Sequence, residues 1–170
     1  MTASGFAHQA AAGGMTSVDL AGEALAAVER GWSVLPVGPD KKPLVPWKTR
    51  QTQAATREEV QAWAQRLAPP AWAVITGEVS GLVALDFDGD SGLERLEEFG
   101  LQPNVRTGSG GAHVYFAHPG RPIGTLNGQA AHALGARFPG LDVRGDGGYA
   151  VFAGRNGAGP YRLERAEAHP

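Results

Sequence analysis

Asp86 and Asp88 stand at alternate positions at the end of the apolar run Leu82-Val-Ala-Leu-Asp-Phe-Asp88. In a strand, a period of two sends both side chains to one face. Two carboxylates on one face repel each other, and burying them is unfavourable unless a cation lies between them. Strand-end carboxylates are hard oxygen donors, which suits magnesium or manganese. Further along, Thr107-Gly-Ser-Gly-Gly-Ala-His-Val-Tyr-Phe116 runs from a glycine-rich turn, with Gly110 and Gly111, into an apolar segment carrying His113. Such a turn offers backbone N–H groups to an anion, and the imidazole adds another polar contact. Asp142 opens a third apolar run in Gly140-Leu-Asp-Val-Arg-Gly-Asp-Gly-Gly-Tyr149 and could complete a three-carboxylate site. The chemistry implied is a divalent metal beside a phosphate.

Each of these residues also has a plainer role. Asp88 or Asp90 could serve the Gly89 turn or the helix after it, and Asp90 is read that way. Asp86, closing a Val-Ala-Leu run, has no such duty. A lone histidine in a strand is commonly a satisfied, partly buried side chain; the turn before His113 singles it out. His118 and His132 are read as surface residues. Asp146 lies in a glycine turn, where Asp is favoured for conformational reasons, so Asp142, flanked by Leu141 and Val143, is preferred as the third acid. Arg144 shares the face of Asp142 and either pairs with it or contacts a triphosphate. Tyr149 reads as sheet packing. If Asp86 and Asp88 repel each other, removing both should leave metal-free stability level or raise it.

The elements that must position these groups follow from capping and periodicity. Ser17 is a candidate cap for a helix with Leu20, Ala21, Ala24, Leu25 and Val28 at helical spacing and Gly31 as its stop. Trp32 to Val37 is strand-like and leads into a loop punctuated by prolines. Thr56-Arg-Glu-Glu59 is a capping box for a second helix with Val60, Trp63 and Leu67, ended by Pro69-Pro70. Trp72–Thr76 and Leu82–Asp86, separated by the Gly77/Gly81 turn, form a hairpin pattern. Ser91-Gly-Leu-Glu94 is a further capping box, for a short helix with Leu93 and Leu96. Strands are expected at Asn104–Arg106, Ala112–Phe116, Leu141–Val143, Tyr149–Phe152 and Tyr161–Leu163, with a short helix around Gly128–Leu134. Glycine turns between strands, with helices interspersed rather than alternating, indicate an α+β fold with a largely antiparallel sheet.

At 170 residues, 42% hydrophobic and 19% charged, the chain has the composition of one globular domain. Residues 1–15 read as a disordered leader, 16–165 as a single catalytic domain and 166–170 as a tail. No apolar run approaches the ~18 residues that span a bilayer, and the N-terminus lacks the pattern of a secretory signal. The absence of cysteine excludes disulfides and thiolate zinc sites, so no zinc site is expected, and a cytoplasmic location is the simplest. A formal charge of −2 provides no whole-protein attraction to nucleic acid. Any DNA contact is therefore expected to be local and weak in the absence of nucleotide, with Lys42, Lys48 and Arg50 as the nearest thing to a basic cluster.

In their order along the chain, Arg30-Gly-Trp-Ser-Val-Leu-Pro36, Lys41-Lys-Pro43, Ile75-Thr-Gly77 and the three segments above resemble the bifunctional primase-polymerase (Prim-Pol) domain of the archaeo-eukaryotic primase superfamily. The resemblance runs from about Ala24 to about Phe152. It implies an RRM-like, mostly antiparallel sheet beside a smaller N-terminal αβ unit, with the active site in the cleft between. It implies Asp86, Asp88 and Asp142 as ligands of two divalent ions, Mg2+ or Mn2+. It also implies that Ser109 and His113, with Gly110 and Gly111, contact the nucleotide's phosphates, and that Lys42 contacts triphosphate or template. The activity implied is template-dependent nucleotidyl transfer in DNA replication, with nucleoside triphosphates and a DNA template or primer as partners. A separate helicase or accessory helical domain could assist. Two other classes stay open: a non-catalytic nucleotide-binding replication-partner module, and a haloacid-dehalogenase-type phosphatase, which Asp86-Phe-Asp-Gly89 superficially resembles.

Overall fold

The computed structural model describes residues 15–126 and 136–170. The short helix expected around residues 128–134, His132 and nearly all of the leader lie outside the described residues. The first helix, α1 (Ser17–Glu29), is capped by Thr16 rather than Ser17. The Thr16 hydroxyl accepts from the Asp19 N–H while the Asp19 carboxylate accepts from the Thr16 N–H, which satisfies two otherwise orphaned donors. Strand β1 (Val34–Val37) follows, and then α2 (Arg57–Leu67), opened by the Thr56/Glu59 capping box and ended at Ala68, which is left-handed ahead of Pro69-Pro70. The chain continues through β2 (Ala71–Ile75), β3 (Leu82–Phe87), α3 (Gly89–Glu98), β4 (Val105–Arg106), β5 (Ala112–Ala117), β6 (Leu141–Arg144), β7 (Tyr149–Asn156) and β8 (Gly159–Leu163). Helix α3 begins at Gly89 with Asp88 at its N-cap, two residues before the Ser91 box expected to start it.

All eight strands join one antiparallel sheet in the order β1-β2-β7-β8-β4-β5-β3-β6, and with three α-helices among the described residues the fold is α+β. β2 and β3 do not form a hairpin, contrary to the sequence pattern. β2 pairs with β1 and β7, whereas β3 pairs with β5 and β6. Only the Gly77–Leu82 bridge joins the two runs, because the Thr76 N–H already donates to the carbonyl of Gly148. β8 is the seam, paired through Tyr161 with Gly154 of β7 and through Leu163 with Val105 of β4.

Two cores lie against this sheet. The larger is built by Ala24 and Ala27 of α1, Val60 and Trp63 of α2, and the strand residues Leu35, Trp72, Val74 and Phe152. Trp32 meets Tyr115 and Phe152 edge-on, with centroids 5.6 and 5.7 Å away. The smaller gathers Phe87, Ala112, Val114 and Leu141 under Leu96 of α3. Alternation splits β3 between them: Leu82 and Ala84 face the larger core, Leu85 and Phe87 the smaller. Asp86 continues the first of these faces to the point where the apolar packing stops. Beyond Leu163 the chain is fastened back to the sheet. Asn104, fully buried, donates to the carbonyls of Arg165 and Glu167, and His169 exchanges backbone hydrogen bonds with Tyr115 and Ala117. The segment read as a tail therefore lies along β5. No described helix is long and apolar enough to cross a membrane.

Candidate active site

Three adjacent strands place one charged or polar side chain each in a row. In register, Asp86 of β3 faces His113 of β5 on one side and Asp142 of β6 on the other. Arg144, two residues beyond Asp142 on the same face, reaches back across both acids. Its Nη2 lies 2.9 Å from Asp142 Oδ2 and 3.3 Å from Asp86 Oδ2. His113 Nε2 lies 3.4 Å from Asp86 Oδ1, close enough for attraction but outside hydrogen-bond geometry. Among the described residues, Asp86 Oδ1 and His113 Nδ1 are buried with no hydrogen-bond partner. Burial alone would push the Asp86 carboxyl up, but His113 and Arg144 beside it hold it down at about 2. Asp86 is therefore a carboxylate at neutral pH, although only 11% of its side chain is exposed.

Asp88 stands apart from this row, exposed at the end of the strand. Burial by surrounding protein raises its pKa, and the charge of Asp86 adds to that, with His113 and Lys41 opposing. The two acids that look equivalent in the sequence are thus pushed in opposite directions. The glycine turn closes over Asp88. Thr107 N–H donates to the Gly111 carbonyl and Gly110 N–H to that of Thr107. A Cβ at Gly111 would collide with the Phe87 carbonyl oxygen and come within 2.9 Å of Asp88 Oδ1, so only glycine lets the turn sit this close. Ser109 is exposed on the turn, its hydroxyl 3.2 Å from that of Thr107.

A cavity of about 290 Å³ opens in front of the row. It is lined by Asp86, His113 and Arg144 of the row, by Lys41, Trp47 and Tyr149, and by Tyr161 of the seam strand; Asp142 and Asp88 are not part of the lining. The basic residues here are Arg144 and Lys41, and it is Lys41 rather than the expected Lys42 that joins the lining. Lys41 has φ 64°, a left-handed conformation uncommon for lysine, and its carbonyl accepts from the Tyr149 hydroxyl at 3.0 Å. Trp47 braces the Tyr149 ring edge-on at 5.2 Å. Tyr149 thus both packs and lines the cavity. Lys42 points out of the cavity, its Nζ 3.6 Å from Asp40 and its side chain 81% exposed. In the sequence Lys41 is one of the loop's basic residues and opens the Lys41-Lys-Pro43 segment; the backbone twist that selects it over Lys42 has no local signature.

Other expectations are corrected. Arg50 is no free cation for DNA: its guanidinium pairs with Glu59 at 2.5 Å and its carbonyl accepts from Ser33. His118 is not a surface residue, since its side chain is only 6% exposed and Nε2 lies 3.2 Å from Asp146 Oδ1. Asp146 does have the structural role its turn suggested: its carboxylate accepts from the backbone N–H groups of Glu78 and Ile123. Among the described residues, no three His, Cys, Asp or Glu side chains converge into a ready-made cation cage. Asp86 and Asp142 are instead gathered around the guanidinium of Arg144.

No curated protein matches the chain. Residues 24–170 match the family described as bifunctional DNA primase/polymerase, N-terminal. That match begins within α1 and spans α2, the row on β3, β5 and β6, and both glycine turns, and the chain belongs to the Prim-Pol family.

Proposed function

We propose that the protein is a template-dependent nucleotidyltransferase that joins nucleoside triphosphates on DNA, with the cavity before Asp86 as its active site. The observation that carries this is the row His113–Asp86–Asp142, one residue from each of three neighbouring strands, of which His113 and Asp86 line the cavity. This reading takes the antiparallel α+β sheet as the catalytic sheet and keeps, as the family's expectation, an RRM-like sheet beside an N-terminal αβ unit with the site between them. The reaction joins a primer 3′-hydroxyl to the α-phosphorus of the nucleotide and releases pyrophosphate.

The acids fit divalent cations by their chemistry: hard oxygen donors, one of them buried, held charged, and carrying an oxygen that, among the described residues, has only His113 Nε2 nearby at 3.4 Å and no hydrogen-bond donor in good geometry. Asp86, Asp88 and Asp142 would hold two such ions, Mg2+ or Mn2+. When bound, these ions supply positive charge to the triphosphate and lower the pKa of the attacking hydroxyl. The chain's own residues do the positioning. His113 and Lys41, which both line the cavity, bind the phosphates, and the 107–111 turn with Ser109, outside the cavity lining, is left to contact them from beside Asp88. Trp47, Tyr149 and Tyr161 supply apolar surface that excludes water. Lys42, outside the cavity, is left to the template. DNA affinity is weak until nucleotide and metal are present, and a separate helicase or helical domain supports priming in the cytoplasm.

One observation favours a second class, a non-catalytic nucleotide-binding module: Arg144 already neutralises two of the three acids. Membership of the Prim-Pol family stands in place of the phosphatase alternative. Primer extension on a defined template with manganese separates catalyst from binder, since only the catalyst lengthens the primer.

A further inference from the structure

We propose that Arg144 is a positioning residue that stands in for a divalent cation: it holds Asp86 and Asp142 together in the metal-free protein, then yields that place and turns into the cavity toward the triphosphate. The inference rests on Asp86 and Asp142 being the metal ligands proposed above.

Asp86 and Asp142 are direct cross-strand partners on one face, an arrangement of like charges that destabilises a sheet unless something neutralises it. Among the described residues, Arg144 bridges the two. Nη2 lies within 3.3 Å of one oxygen from each carboxylate, a bridge between two strands of the kind a coordinated ion makes. The bridge leaves Asp86 incomplete, because Oδ1 has no hydrogen-bond donor among the described residues. An ion that coordinates carboxylate oxygens directly can use that atom; the guanidinium does not. Arg144 cannot step aside by losing its proton, since a guanidinium stays charged at any physiological pH. It yields only by moving. It has somewhere to go: its side chain is 27% exposed and lines the cavity together with Lys41, Trp47 and Tyr149. A cation arriving between the acids and an anionic triphosphate arriving in the cavity both favour that movement.

The consequence is a pair of opposite effects that a merely structural arginine does not produce. Manganese, added alone without nucleotide, is titrated against wild type, Arg144→Gln, Arg144→Lys and Asp86→Asn by electron paramagnetic resonance of the free ion. Arg144→Gln removes the competitor and is expected to tighten manganese binding roughly tenfold, the weight of the two partly exposed ion pairs it makes. Arg144→Lys is expected to fall between it and wild type. Asp86→Asn is expected to weaken binding at least roughly tenfold through loss of a ligand. With manganese saturating, Arg144→Gln is expected to bind a non-hydrolysable nucleoside triphosphate more weakly than wild type. Thermal melts identify any variant that fails to fold, in which case Arg144→Lys carries the comparison. Loss of manganese binding in Asp86→Asn with unchanged or weaker binding in Arg144→Gln overturns the exchange and leaves the ligand assignment standing. Equal manganese binding by wild type and Asp86→Asn overturns both.

Discussion

The two ends of the sheet are built from similar apolar runs and put to different uses. At the β1–β2–β7 end every residue of β1 and β2 is buried, with α1 and α2 completing the cover. At the β3–β5–β6 end the strands bury one face under α3 and extend the other past the apolar core. There Asp86, His113, Asp142 and Arg144 must neutralise one another. Stability resides at the first end and charge at the second. Residues that serve both, Tyr149 and Tyr161, lie on β7 and on the seam strand β8.

Trp72→Ala tests the apolar end. Trp72 is among the largest fully buried side chains, and its truncation is expected to destabilise the fold by about 3–5 kcal/mol while leaving nucleotide affinity per folded molecule unchanged. Chemical denaturation followed by nucleotide titration checks it; selective loss of nucleotide binding would show that the ends are not separable.

The charged end makes the subtler case, because its two strand-end acids should behave oppositely. Asp86 is held at about 2 against an ordinary 3.8, so its charge stabilises the fold by about 2 kcal/mol above pH 5, and this is lost as pH falls toward 2. Asp86→Asn should melt lower than wild type at pH 7, with the gap closing in acid. Asp88 has a raised pKa, so its charged form opposes folding once the pH exceeds its ordinary value, and Asp88→Asn should melt slightly higher at pH 7. Removing both acids therefore does not simply relieve repulsion, because Asp86 already has its counter-charges. Parallel melting curves of the two variants from pH 2 to 7 decide it, and shifts of the same sign would break the distinction.

A smaller effect separates the two neighbouring lysines. Lys41→Ala is expected to raise the apparent KM for nucleotide roughly tenfold, in keeping with a lost charge-assisted phosphate contact. Lys42→Ala should change it less than about twofold, since its ammonium stands in solvent beside Asp40. Steady-state kinetics on a fixed primer compares them directly.

Much of this was legible in the chain because it is local. Period-two alternation located β3, β5 and β6, and the Thr56/Glu59 box located α2 to the residue. The same alternation is enough to place Asp86 on the Leu82–Ala84 face. What was not legible depends on distant partners. Gly77 and Gly81 look like a hairpin turn, but the strands they separate are claimed by β7 and β5. Thr16 is a different case, since its capping box with Asp19 is as local as that of Thr56, while Asp88 stands at the N-cap of α3 without a side-chain cap hydrogen bond. Lys41 faces the cavity through a left-handed φ held by Tyr149, 108 residues away. His118 is buried for the same kind of reason, by an Asp146 that belongs to another turn.

The most direct test of the account is template-directed primer extension with manganese by wild type and Asp86→Asn at matched folded concentration. The expected result is primer lengthening that depends on template sequence and divalent cation in the wild type and falls by at least roughly a thousandfold in the variant. Extension that survives in Asp86→Asn, or a wild type that binds nucleotide and metal yet never lengthens a primer, would contradict it.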